Sequence, residues 1–214
     1  MTALFPWLWL SGVLWVALGL WLYLFSPYKG NVLCKALTTA GPVLLSLLGA
    51  WQQPSLQSRV LLLSLCLFLA ADVCIDFSLL PGVLVFLLGH VGLIAGCLLS
   101  GSGWQALLFP GVLGCLALAW AYRRRLKTMG ALAAALLVYV FVLFGMAGSL
   151  MGLLCRGFTN ARLLAALGAL LFLASDLLLG DTIVTGRKSH AKDVWVMCLY
   201  ETALLCLVLA PFAL

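Results

Sequence analysis

Eight long apolar runs, each close to the length of a membrane-spanning helix, dominate this chain. They cover roughly residues 4–25, 33–51, 60–80, 82–100, 106–121, 130–154, 163–184 and 194–213. An α-helix rises ~1.5 Å per residue, so ~20 apolar residues cross the hydrocarbon core of a bilayer. Only 8% of the residues are charged, too few to cover a soluble protein of 214 residues. The sequence predicts an all-α, polytopic membrane protein with eight transmembrane helices, short loops and one transmembrane domain over residues 1–214.

The distribution of basic residues predicts how the helices are oriented. If successive loops alternate between the two sides, one side carries Lys29, Arg123, Arg124, Arg125, Lys127, Arg187, Lys188 and Lys192. The other side carries Arg59, Arg156 and Arg162. The positive-inside rule then makes the first side cytoplasmic and both termini non-cytoplasmic. The net charge of +6 is therefore a topology signal, and no nucleic-acid partner is expected.

The ends of the first run and the loop lengths bear on localisation. No basic region precedes the first run, and Pro27 and Tyr28 follow it in place of a small-residue cleavage site. We therefore expect a retained helix, not a cleaved signal peptide. The short loops and tails favour a bacterial inner membrane over the endoplasmic reticulum.

Cysteine and histidine do not form a recognisable metal or redox motif. The eight cysteines are scattered, contain no C-x-x-C, and lie almost entirely inside apolar runs, where cysteine acts as a small hydrophobe. The two histidines, His90 and His190, cannot supply a multi-histidine zinc site. No metal and no other cofactor is expected, although a mixed carboxylate–histidine site stays open.

Four of the six acidic residues lie inside apolar runs: Asp72, Asp76, Asp176 and Glu201. A carboxylate in hydrocarbon costs at least ~2.5–3.5 kcal/mol, so each is expected to have a function or a partner. Counted along the helices from the cytoplasmic side, Asp72, Asp176 and His90 lie ~12 Å deep, Glu201 ~10 Å, Asp76 ~6 Å and Tyr139 ~17 Å. Lys35, Ser175, Asp181 and Tyr200 lie in or beside this layer. The shared depth predicts one polar pocket.

Carboxyl pairs in this layer suggest acid–base chemistry. Asp72 and Asp76 are one helical turn apart, and Asp176 and Asp181 are about a turn and a half apart. Carboxyl groups this close in a poor dielectric cannot all be ionised, so a proton donor would lie beside a carboxylate. Acid-catalysed cleavage of an acetal-like bond needs that pairing. The simpler alternative is that the acids pair with Lys35 or His90 and hold helices together.

Several short motifs resemble a known family. They are Lys35-Ala-Leu-Thr-Thr39, Ala71-Asp72, Gly89-His90, Tyr139, Gly168-Ala-Leu-Leu-Phe172 followed by Ser175-Asp176, and Tyr200. In order and spacing the chain resembles the YhhN-like lysoplasmalogenase family of eight-helix membrane proteins. It differs from the family pattern at Ala36, Ala71, Leu93 and Leu204, and at Glu201, where a second tyrosine is usual.

The resemblance implies hydrolysis of the vinyl ether bond of lysoplasmalogens, which releases a fatty aldehyde and glycerophospho-ethanolamine or -choline. Asp176 is then the expected proton donor, Asp72 the carboxylate that stabilises the cation or directs water, and His90 the residue that orients them. The remaining candidates for substrate binding or support are Lys35, Asp76, Tyr139, Ser175, Asp181, Tyr200 and Glu201. The expected partners are a lysophospholipid substrate, membrane lipids and water.

Two other functions fit the residues. Intramembrane acids also form proton relays, so a small-molecule or proton-coupled transporter is the first alternative. A lipid-binding protein without activity is the second. The oligomeric state is open.

Overall fold

The computed structural model describes residues 5–25 and 32–213, and all regular elements in these ranges are helical. They are α1 (Phe5–Phe25), α2 (Val32–Gln52), α3 (Leu56–Phe77), α4 (Leu79–Leu99), α5 (Trp104–Ala121), α6 (Arg123–Leu126), α7 (Ala131–Gly152), α8 (Asn160–Thr185) and α9 (His190–Leu209). Short 3-10 turns follow α7 (Leu154–Arg156) and α9 (Ala210–Ala213). The all-α prediction is confirmed for these residues. Pro27, Tyr28 and Lys29 lie outside them.

Six of these helices are long and apolar enough to cross a bilayer: α2, α3, α4, α5, α7 and α8. Large apolar side chains such as Phe109, Leu116 and Trp120 are exposed on the outer surface, as expected for contact with lipid tails. The chain is therefore a membrane protein. The apolar stretch of α1, Leu10–Tyr23, is shorter, and α9 carries Lys192, Asp193 and Glu201. Membrane crossing by α1 and α9 stays a prediction.

The helices form a ring around a shared core. Helices α2, α3, α4, α7, α8 and α9 contact one another in that order, and α9 closes the ring by packing on α2. Helix α1 lies outside against α2 and α9, and α5 lies outside against α7. The core between the six ring helices includes Leu65, Phe68, Leu143, Phe172 and Leu204, all buried. A ring of this kind encloses whatever polar groups its helices direct inward.

The pair Pro81-Gly82, between the apolar runs 60–80 and 82–100, predicts a tight turn that joins two antiparallel helices, but the observed connection lies earlier in the chain. A single residue, Ser78, joins the two helices, while Pro81 and Gly82 lie in the first turn of α4. Proline is tolerated there because the first N–H groups of a helix have no partner within the helix. A Cβ on Gly82 would lie 2.6 Å from Ile75 Cα, so only glycine allows α4 to approach α3 this closely. The predicted antiparallel contact between the two helices is nevertheless present.

The two ends of the ring carry different charged residues. At one end, named the α6 end, lie α6 and the start of α9, and Lys192 Nζ is 2.5 Å from Asp181 Oδ2 near the end of α8. At the other, named the arginine end, lie Arg59, Arg156 and Arg162, near the starts of α3 and α8. There Ser102 Oγ donates to Ser149 O at 2.9 Å, which joins the start of α5 to α7.

Candidate active site

A polar cluster lies in the centre of the ring, and each of the six ring helices contributes to it. Its members, in chain order, are Thr39, Asp72, His90, Tyr139, Asp176, Tyr200 and Glu201. Asp72 and Asp176 are only 6% and 7% exposed, and Thr39, His90 and Glu201 are completely buried. We call this set the central cluster.

One half of the central cluster is a hydrogen-bonded chain around Asp72. Thr39 Oγ1 lies 2.7 Å from Asp72 Oδ2 and 2.9 Å from Glu201 Oε1, and Tyr200 OH donates to Asp72 Oδ2 at 2.9 Å. A threonine hydroxyl has one hydrogen, so it can donate to only one of these two carboxyl groups. Both contacts are hydrogen bonds only if one of the two carboxyl groups is protonated and donates to Thr39, while Thr39 donates to the other. The chain thus stores a proton next to a carboxylate.

The other half of the cluster surrounds Asp176. Tyr139 OH donates to Asp176 Oδ2, and His90 Nε2 lies 3.6 Å from the same oxygen, beyond hydrogen-bond range. His90 Nδ1 is 2.7 Å from Phe86 O, a carbonyl that can only accept, so Nδ1 carries a hydrogen. In a neutral imidazole this leaves Nε2 with its lone pair, and no described residue donates to it. His90 therefore directs an unused proton acceptor toward Asp176.

Aromatic rings pack between the two halves of the central cluster. The ring of His90 packs edge-on against Phe172 at 4.7 Å and against Phe68 at 5.1 Å between centroids. The rings of Tyr200 and Phe172 also pack edge-on, with 5.3 Å between centroids. Such surroundings strengthen interactions between charges, and Asp72 and Asp176 are close enough to affect each other electrostatically. The two carboxyl groups thus belong to one enclosed site.

An apolar cavity of about 290 Å³ reaches Asp176 from the α6 end. Side chains of α4, α5, α7 and α8 line it, among them Val83, Leu118 and Val140. Tyr139 and Asp176 form part of its wall. Asp72 and His90 are not among the lining residues, so Asp176 is the cluster carboxyl that a bound molecule would meet.

The mouth of this cavity is polar. Asp181, which lies five residues or ~7.5 Å beyond Asp176 along α8, accepts hydrogen bonds from Tyr122 OH at 2.8 Å and Lys192 Nζ at 2.5 Å. The Asp181 carboxylate raises the pKa of the Tyr122 hydroxyl, since ionised tyrosine could not donate this bond. The cavity therefore has an ion pair at its mouth, an apolar body and a carboxyl group at depth.

Four of the predicted site residues lie outside the central cluster. Lys35 and Asp76 form their own partly exposed ion pair, with Nζ and Oδ1 2.8 Å apart. Asp181 pairs with Lys192, and the buried Ser175 donates to Val196 O at 2.9 Å, which ties α8 to α9. Asp181 lines the same cavity as Asp176, whereas Lys35, Asp76 and Ser175 do not line it. Depth along a helix does not specify which way its side chains point. Their predicted roles in binding stay predictions.

Thr39 is the cluster member that the sequence reasoning missed. It lies one turn after Lys35 inside the motif Lys35-Ala-Leu-Thr-Thr39, so its position in that motif was the available signal. An intramembrane threonine usually bonds to its own helix, as Thr38 does with Cys34 O. Within the ranges 5–25 and 32–213, no three His, Cys, Asp or Glu side chains are grouped so as to hold a metal ion.

Fold and site together define an all-helical membrane protein with carboxyl, histidine and tyrosine side chains enclosed by a ring of helices. A family model gives the narrower assignment: the model of the YhhN family matches residues 30–210. The chain belongs to the YhhN family. No curated protein and no solved structure matches it significantly.

Proposed function

We propose that this protein is a lysoplasmalogenase-type hydrolase, which adds water across the vinyl ether bond of a single-chain alkenyl glycerophospholipid. Membership of the YhhN family points to this activity. The observation that carries the proposal is the position of Asp176, a carboxyl group on the wall of an apolar cavity and below a charged mouth.

The dimensions of the cavity suit such a lipid. Six bonds separate the phosphorus of a lysoplasmalogen from its first alkenyl carbon, a span of roughly 7 Å with bonds of ~1.5 Å. The distance along α8 from Asp181 to Asp176 is similar, ~7.5 Å. A headgroup at the mouth would thus place the vinyl ether beside Asp176. The Lys192–Asp181 pair offers a cation for the phosphate and a carboxylate for the ethanolamine or choline.

The proposed reaction begins with proton transfer to carbon. Protonated Asp176 donates its hydrogen to the second alkenyl carbon, using the electron pair of the double bond, and the first carbon becomes an oxocarbenium ion. Water attacks this carbon and gives one proton back to Asp176, which forms a hemiacetal. Asp176 then protonates the glycerol oxygen as the bond between carbon and that oxygen breaks. As that bond breaks, the hemiacetal hydroxyl gives its proton to the Asp176 carboxylate, and a fatty aldehyde and a glycerophospho-alcohol leave. His90 Nε2, which lies 3.6 Å from Asp176 Oδ2, would help to position that carboxylate.

Asp72 would act on this reaction through charge. Ionised and held by Thr39 and Tyr200, it stabilises the positive charge that develops near Asp176. Tyr139 donates to Asp176 and would set the direction of its carboxyl group. Glu201 would hold the proton that keeps the Thr39 hydrogen directed at Asp72.

The test is aldehyde release by purified protein in lipid nanodiscs, followed by mass spectrometry. Asp176→Asn should lower the rate by ~10²–10⁴, the usual contribution of a general acid, and Asp72→Asn by about 10². Asp76→Asn is the matched control, since Asp76 lies one turn from Asp72 but pairs with Lys35. Its rate should stay within about twofold, because substitutions away from a site usually change free energies by under ~0.5 kcal/mol.

A reaction in deuterated water tests the mechanism separately. Protonation of the alkenyl carbon puts one deuterium on the second carbon of the aldehyde. An alkyl-ether lipid of the same length has no double bond to protonate and should not be cleaved. Wild-type cleavage by Asp176→Asn would contradict the assignment of the acid. Solute flux into proteoliposomes without any bond cleavage would favour the transporter, and lysolipid binding without turnover would favour an inactive binding protein.

A further inference from the structure

A second cavity, of about 370 Å³, opens at the arginine end, opposite to the candidate active site. Its polar mouth includes Gln53, Ser55, Ser100 and Arg162, and its body is mostly apolar. From Gln53 it extends along α2 to Ser46, seven residues or ~10 Å deeper. It shares no lining residue with the cavity at the α6 end. Its volume falls in the range of small-molecule sites, ~300–1,000 Å³.

Among residues 5–25 and 32–213, no Asp or Glu side chain pairs with the positive charge at the mouth. All six acidic residues of the chain lie in the central cluster or toward the α6 end. The ion pairs among the described residues accordingly leave out Arg59, Arg156 and Arg162. Of these three, only Arg162 lines the cavity, and one of its five N–H donors bonds to Gly157 O at 3.1 Å. The four other N–H donors of this guanidinium group can bind a carboxylate or phosphate.

A second polar group lies deep in the cavity without a partner. Ser46 is only 4% exposed, lines the cavity, and its hydroxyl oxygen has no hydrogen-bond partner among the described residues. A buried hydroxyl without a partner costs about 1–3 kcal/mol, so a bound molecule or water that satisfies it is favoured. The cavity thus combines an anion-binding mouth, an apolar body and an unused hydroxyl at depth.

We propose that this cavity binds a single-chain anionic lipid, with its head at Arg162 and its chain directed toward Ser46. A membrane offers such a molecule at the depth of the cavity mouth, and charge complementarity favours an acidic head over a neutral one. The site is separate from the candidate active site and does not depend on the proposed reaction.

The test uses a photoreactive diazirine-labelled palmitate. Hexadecanol that carries the same diazirine label serves as the neutral probe. Purified full-length protein in phosphatidylcholine nanodiscs is cross-linked, and the labelled peptides are mapped by mass spectrometry. We expect saturable labelling by palmitate of α4 and α9 residues that line the cavity, and at least fivefold weaker labelling by the alcohol. Competition by lysophosphatidate but not by inorganic phosphate would show that head and chain are both needed.

Matched variants make the test specific. Arg162→Gln should raise the half-saturating palmitate concentration about five- to tenfold, whereas Arg156→Gln should leave it within twofold, since Arg156 is exposed and does not line the cavity. Gly96→Leu should abolish the labelling, because a Cβ there meets its nearest neighbour, Val60, at an ordinary 3.7 Å and the rest of the side chain enters the cavity. Thermal unfolding checks that each variant is folded.

Three results would overturn the proposal. They are equal labelling by the acid and the alcohol, wild-type half-saturation for Arg162→Gln, and palmitate cross-links confined to the lipid-facing surfaces of α1 and α5. Failure of vinyl ether cleavage would not affect any of these measurements. The proposed lipid site and the proposed reaction are therefore tested independently.

Discussion

The two hydrogen bonds that join Thr39 to Asp72 and Glu201 yield a quantitative prediction about stability. Thr39→Val keeps the shape of the side chain but removes the hydroxyl that contacts Asp72 and Glu201 at 2.7 and 2.9 Å. A bond to a charged group contributes ~1.5–3 kcal/mol, and an unsatisfied buried donor costs a further ~1–3 kcal/mol. We therefore expect Thr39→Val to lower the free energy of unfolding by about 3–5 kcal/mol.

The Tm should follow this loss of stability. For a chain of this length, 1 kcal/mol corresponds to roughly 2–4 °C, so Thr39→Val should lower the Tm in detergent by about 6–20 °C. Thr39→Ser is the matched control, because it keeps the hydroxyl and loses one methyl group, worth ~0.8 kcal/mol. Its Tm should fall by no more than roughly 2–4 °C.

Glu201→Gln tests where the proton lies. If Glu201 is protonated and donates to Thr39, an amide N–H can replace its O–H, and the Tm should change by under ~4 °C. In the infrared difference spectrum of the wild type against Glu201→Gln, one protonated carboxyl C=O stretch should be lost, while the stretch of protonated Asp176 should stay. A rise of the Tm well above that range, or a difference spectrum in which no protonated carboxyl band is lost, would refute the proposed arrangement. An ionised Glu201 would explain either result.

Three further predictions follow from the packing and the cavity mouth. Gly82→Ala should lower stability by about 1–3 kcal/mol, since its Cβ would lie 2.6 Å from Ile75 Cα. Gly180→Ala, with nothing within 4 Å of its Cβ, should be neutral or raise stability by up to ~1 kcal/mol; equal Tm changes for the two would contradict the close approach of α3 and α4. Lys192→Met should raise KM for the alkenyl lysolipid about three- to tenfold with kcat unchanged, because it removes the cation proposed for the phosphate; an unchanged KM would exclude this role. Gly180→Leu should fill the cavity beside Asp176 and lower kcat/KM at least about tenfold. Gly96→Leu, in the cavity at the arginine end, should leave kcat/KM unchanged. Equal effects of the two substitutions on kcat/KM would contradict the assignment of the cavity at the α6 end as the substrate site.

The helices were predictable because they depend on local physics. In hydrocarbon each backbone N–H and C=O group needs a hydrogen-bond partner within its own segment. An apolar run of ~20 residues therefore forms a helix. The predicted bounds agree with the structure to within a few residues, as for α2, expected over 33–51 and observed as Val32–Gln52. The Pro81-Gly82 pair misled because the same dipeptide suits a turn and the first turn of a closely packed helix.

The composition of the site was predictable only in part. Depth along each helix placed Asp72, His90 and Asp176 at one level, and the structure brings them together inside the ring. Depth could not separate Asp72 from Asp76, which lie one turn apart on the same helix. Asp72 meets Thr39 and Tyr200, whereas Asp76 meets Lys35 at the edge of the protein.

The sequence alone therefore determined that this protein is a bundle of membrane helices with acids buried in it, since hydrophobicity and helical rise are properties of each segment. Tertiary structure decided which acids are joined through Thr39, which form ion pairs with lysines, and which line a cavity. Those outcomes depend on the order of helices around the ring and on the rotation of each helix. Both are set by packing between segments distant in sequence, as when Thr39 on α2 meets Glu201 on α9.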